Sequence, residues 1–219
     1  MEKLSFASKE DACIRVNGIF SELSNEEQLS LVEIRSNLNK ASNCEIEPEL
    51  KKSLLLLANI CSPIFNSESR NDPFQPLMTS ENKRSFLPID LTKEEILYLS
   101  SIVDEDLPPI LKARIADILW FYLTPKNKKH SEIAIENYIS MNVCNEFFEP
   151  DIYVFWERAV MLAKQTKNSS LIGNIKSKLL NEMAHPSTNW DFHLLKIIEI
   201  FVKTDLDKRL NHEYQVQRI

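Results

Sequence analysis

Pro108-Pro109-Ile110-Leu111-Lys112-Ala113-Arg114-Ile115-Ala116-Asp117-Ile118-Leu119-Trp120-Phe121-Tyr122-Leu123 is the stretch whose reading decides the fold. Leu111, Ile115, Ile118, Leu119 and Tyr122 recur at helical spacing, and Ile110, Phe121 and Leu123 broaden the stripe. A helix apolar on nearly every side needs other helices around it. Pro108 and Pro109 fit its first turn, where a missing N–H removes no hydrogen bond. The Asp104-Glu105-Asp106 run before them suits a positive helix end.

Outward from this helix the chain reads as helix after helix. The spacing predicts helices over about Lys9 to Leu23, from Ser24 through Leu38, and from Pro48 to Cys61, the last apolar all round and buried. Two capping boxes, Ser24-Asn-Glu-Glu27 and Thr92-Lys-Glu-Glu95, mark helix starts. Lys40 to Asn43 breaks the pattern between two of these helices. Further helices are expected from Ser131, with Ser131 as N-cap, to Asn142, from Pro150 through Ala163, from Ser170 to Ala184 and from Asn189 to Lys203. The chain has 219 residues but only two glycines. That scarcity disfavours strand-rich folds, which need glycine at bulges and tight turns, and excludes glycine-rich phosphate loops. The expected fold is all-α, an irregular α-solenoid of helical hairpins, with a closed helical bundle as the alternative. Pro108 and Pro150 opening comparable hairpins about forty residues apart favour the solenoid.

Four segments follow from the pattern: an N-terminal helical subdomain over 1–61, a proline-rich connecting loop over 62–91, a helical-hairpin domain over 92–204, and a polar tail over 205–219. Phe74, Leu77, Met78, Phe86 and Leu87 are expected to pin the loop to the surface. The last helix has no obvious partner, so either the tail folds back as a cap or more protein follows. The net charge is −6 with scattered basic residues, and no broad basic face for nucleic acid is evident. No apolar leader or bilayer-length run is visible, and the four cysteines show no Cys-x-x-Cys spacing, so a reducing cytoplasm is the expected setting.

Few residues carry candidate chemistry. Arg114 and Asp117, three apart, share one helix face, and an otherwise apolar helix obliges them to find partners. Arg84 on the proline loop and Arg158 on a later helix are the candidates, so these four residues read as structural ion-pair formers. Lys126, Lys128, Lys129 and His130 form the one basic cluster and are weak nucleic-acid candidates; an exposed loop with a solvated His130 is the commoner reading. The four histidines lack metal-ligand spacing, and Trp120, Trp156 and Trp190 read as core. No catalytic, cofactor or metal residue is assigned. A protein partner or a further domain is expected; homo-oligomerisation stays open, and neither a membrane nor nucleic acid is favoured.

Some residues carry a resemblance. Pro73-Phe74-Gln75-Pro76, Met78, Arg84-Ser85, Pro88-Ile89-Asp90, Ala113-Arg114-Ile115-Ala116-Asp117-Ile118-Leu119-Trp120 and Trp156-Glu157-Arg158-Ala159 occur in one order. This set resembles a bacterial helical family found as the N-terminal module of proteins with a C-terminal HEPN-type (higher eukaryotes and prokaryotes nucleotide-binding) ribonuclease domain. Leu77 departs from the family pattern by standing between Pro76 and Met78. Stacked amphipathic helices, an apolar last helix and no catalytic constellation point to a non-enzymatic scaffold that binds another protein. The resemblance implies that it is a regulatory module, the N-terminal part of an RNA-targeting or phage-defence protein. Its second implication is an RNA-binding or ribonuclease component. The Arg-x4–6-His motif of HEPN ribonucleases is not met by Arg70-Asn71 or by Arg209 to His212, so no active-site residue is carried over.

Overall fold

The computed structural model describes residues 5–21, 31–61, 91–141, 150–184 and 190–206. Among these residues every regular element is a helix: α1 Lys9–Ser21, α2 Leu31–Ser42, α3 Pro48–Ile60, α4 Lys93–Ile102, α5 Pro109–Tyr122, α6 Lys128–Ser140, α7 Pro150–Gln165, α8 Ser169–Ala184 and α9 Trp190–Lys203. None is long and apolar enough to cross a membrane. The fold is all-α.

The α5 helix sits where its sequence demands. Ile110, Leu111 and every residue from Ala113 to Leu119 are buried. It packs against α3, α4 and above all α6, and α6 in turn against α7 and α8. Burying each large aliphatic side chain there contributes about 1.5–3 kcal/mol. On the N-terminal side α1 packs on α2, α3 and α4. One chain of buried residues runs from Ala12 through Leu57, Ile115, Tyr138 and Trp156 to Phe201.

Local signals set several helix ends as expected. The Thr92 hydroxyl accepts from the Glu95 N–H, and the Glu95 carboxylate accepts from the Thr92 N–H, so this capping box is complete. Pro109 stands in the first turn of α5, after Pro108. Other ends differ. The α2 helix continues through Lys40 to Ser42, because Ala41 and Ser42 are buried and packing overrides weak propensity. The N-cap of α6 is Asn127, whose side chain accepts from the Lys129 N–H, while Ser131 is buried and donates to the Lys128 carbonyl. The α3 helix is not buried all round, since Leu55 is 44 % exposed. Between α7 and α8, Lys167 takes a left-handed conformation (φ 53°) and the Asn168 side chain accepts from the Leu171 N–H.

The last helix has partners after all. The α9 helix packs on α7 and α8, burying Ile197, Ile200 and Phe201. Lys164 of α7 donates to the Thr204 and Asp205 carbonyls just beyond its end. The Ser24 capping box, Arg84, the proline loop apart from Leu91, Cys144, His185 and the polar tail from 207 onward lie outside the described residues.

Gly18 lies within α1, and a Cβ there would meet nothing within 4 Å. The Gly18→Ala variant should therefore be more stable by about 0.5–1 kcal/mol, because alanine loses less backbone freedom in a helix. Chemical denaturation of the two proteins checks this.

Candidate functional site: a buried ionic cluster

Arg114 and Asp117 of α5 meet partners from three other helices. Asp117 is 0 % exposed. The Arg158 guanidinium of α7 grips it with two bonds, Nε to Oδ2 at 2.9 Å and Nη2 to Oδ1 at 2.7 Å. The Tyr138 hydroxyl of α6 donates to Oδ2 at 3.2 Å. Arg114, one turn earlier on α5, donates Nε and Nη2 to the Ile60 carbonyl at 3.0 and 2.9 Å. That carbonyl belongs to the last residue of α3, a helix with no basic residue in its own last turn. A guanidinium there satisfies an orphan acceptor and suits the negative end of the helix dipole.

Burial sets the electrostatics. Desolvation alone would lower the Arg158 pKa, but the attraction and hydrogen bonds of Asp117 outweigh it and raise it. Burial, then the Asp117 charge, push the Tyr138 phenol upward, so it stays a neutral donor. The Cys61 thiol beside this region is pushed up to about 12 by burial, against the pull of Arg114. These are groups fixed in one protonation state, which suits a structural joint.

Of the four ion-pair candidates, the structure joins Asp117 to Arg158 and sends Arg114 to the end of α3. Arg84 lies outside the described residues. Tyr138 is a partner outside the sequence candidates. The available signal was its hydroxyl, which on a buried face must find a partner.

The basic cluster is used by the fold. Lys126 donates to the Trp120 and Phe121 carbonyls at the end of α5, and burial lowers its pKa. Lys129 pairs with Asp104 at 2.7 Å, an exposed contact that holds the Asp104 carboxyl below its ordinary value. Lys128 is exposed in the first turn of α6. His130 is buried rather than solvated, because the first turn of α6 lies against the core. Its Nδ1 has no hydrogen-bond partner among the described residues. Burial lowers its pKa, with the Asp104 charge opposing.

A second polar cluster docks α9. The Tyr153 hydroxyl lies 2.7 Å from His193 Nδ1, and His193 Nε2 lies 3.1 Å from the Glu182 carbonyl oxygen. A carbonyl only accepts, so in the neutral imidazole Nε2 carries the proton and Nδ1 accepts from Tyr153. Glu182 also pairs with Lys178 at 2.6 Å. Among the described residues no group of three or more His, Cys, Asp or Glu could hold a metal ion.

The ionic cluster falls inside a recognisable sequence family, matched over residues 6–174 and described as a domain of unknown function, DUF7380. The chain belongs to it. The DUF7380 match runs from the segment before α1 into α8, so it spans Arg114, Asp117, Tyr138 and Arg158 and stops before Glu182 and His193. No curated protein and no solved structure matches the chain.

Removing the carboxylate leaves a buried guanidinium without its counter-charge, so Asp117→Ala should cost about 3–5 kcal/mol, against about 1 kcal/mol for Tyr138→Phe. Urea denaturation of both variants checks the ranking. His130, with its folded pKa below the ordinary 6.5, binds fewer protons folded than unfolded. Stability should therefore fall as pH drops below about 6.5, and His130→Gln should remove that part of the slope. Denaturation at about pH 7.5 and about pH 5.5 reads it out.

Proposed function

We propose that this DUF7380 chain is a non-enzymatic helical scaffold, a regulatory module that binds another protein. The observation that carries this reading is the burial of the converging ionisable side chains. Arg114, Asp117 and Arg158 are 1 %, 0 % and 7 % exposed and bond to the chain's own groups. A reacting group has to reach a substrate, whereas these join α3, α5, α6 and α7 to one another.

The order of packing favours an open stack over a closed bundle. The main contacts run between helices no more than three places apart along the chain. Stacked helical hairpins present extended surfaces to other proteins. The cytoplasm is the proposed setting, supported by free thiols at Cys13, Cys44 and Cys61. From the resemblance given above, the partner proposed is a HEPN-type ribonuclease domain in a bacterial RNA-targeting or phage-defence system.

The RNA-binding reading has less support, because Lys126 and Lys129 already bond within the fold. Purified protein mixed with labelled single-stranded RNA should give neither cleavage nor a salt-sensitive mobility shift. Crosslinking in native cells should capture a protein partner at defined stoichiometry. Cleavage, or a shift weakened by salt, would replace the scaffold reading with the nucleic-acid one.

A further inference from the structure

One open groove of about 780 Å³ lies on the N-terminal side of the fold, away from the ionic cluster. One wall is a stripe of α1: Asp11, Ile14, Arg15 and Gly18, at positions i, i+3, i+4 and i+7 of a single helix face. Phe6, held by stacking on Tyr98 at 4.4 Å, and Leu50 of α3 line it as well. Ile14 is 72 % exposed, far more than a core residue, and stands in this wall. Gly18 is one turn further along, with open space where its Cβ would be. Glycine weakens a helix, and no neighbour in the described fold uses the missing side chain. It leaves room for another backbone to come close.

The charge of the groove says what kind of backbone. Asp11, Glu47 and Glu49 line it against the guanidinium of Arg15, and the Lys52 ammonium lies 3.9 Å over the Phe6 ring. Arg15 Nε is buried with no hydrogen-bond partner among the described residues. We propose that this groove docks an amphipathic helix of a partner protein, its apolar face on Ile14 and Phe6, its backbone near Gly18, and basic residues on its flank. This names the docking surface of the scaffold reading and rests on it. Helix-in-groove recognition uses anchors at this same spacing.

The test uses the full chain and two synthetic probes, an amphipathic helix of about 18 residues built from Leu, Ala and Lys, and its counterpart with Glu for Lys. Fluorescence anisotropy should show saturable binding of the basic probe and none of the acidic one. Ile14→Glu, Gly18→Leu and the Glu47→Lys/Glu49→Lys pair should each weaken it by about tenfold or more. Ile14→Glu changes an exposed residue, and circular dichroism confirms that each variant is folded. Absence of saturable binding by the basic probe, equal binding of both probes, or binding unchanged in Ile14→Glu would overturn the proposal. Self-association abolished by Ile14→Glu in sedimentation would overturn it too, assigning the groove to a second copy of the chain. A cellular partner still captured by the Ile14→Glu variant would sink the groove while leaving the scaffold reading in place.

Discussion

A carboxylate taken out of water has to be met by a cation and by donors to its remaining lone pairs, or it does not stay charged. Asp117 is in that position at the centre of α5. Arg158 answers with a two-pronged grip from α7, and Tyr138 adds a donor from α6. The geometry ties three helices to one point. Apolar packing between helices tolerates sliding, since one aliphatic contact resembles the next. A bidentate bond does not, because a shift of one residue would separate the guanidinium from both oxygens. The cluster thus gives the stack its register, while burial around Ile115, Leu119 and Trp156 provides most of the stabilisation.

The same logic recurs at helix ends. The α3 and α5 helices carry no basic residue in their last turns. Each receives a cation from outside itself: Arg114 reaches the Ile60 carbonyl, and Lys126 reaches those of Trp120 and Phe121. Lys164 does this for the residues that follow α9. These contacts answer orphan carbonyls and fix where one helix stops against the next. Tyr153 and His193 add a buried polar contact between α7 and α9.

How much of this could be read beforehand depended on how local the cause was. The Thr92–Glu95 box is set by residues three apart, and sequence spacing is enough to see it. The need of Arg114 and Asp117 for partners was also legible, from charges inside an apolar helix. Their partners were only partly so. Asp117 and Arg158 are 41 residues apart, and the acceptor for Arg114 is a backbone carbonyl that any residue could carry. His130 differed for a related reason. Side-chain type suggested solvation, whereas the first turn of α6 lies against the core. The groove on α1 was hidden as well, because its walls come from Phe6, α1 and the start of α3, which sequence spacing does not bring together.

The central claim is that Asp117 and Arg158 act as one joint. A double-mutant cycle on equilibrium unfolding with Asp117→Leu and Arg158→Met measures this most directly. Each single variant strands one buried charge, while the pair removes both and leaves apolar groups of similar bulk. The account predicts a double variant more stable than either single one, with a coupling of about 2 kcal/mol or more. Losses that simply add would contradict it.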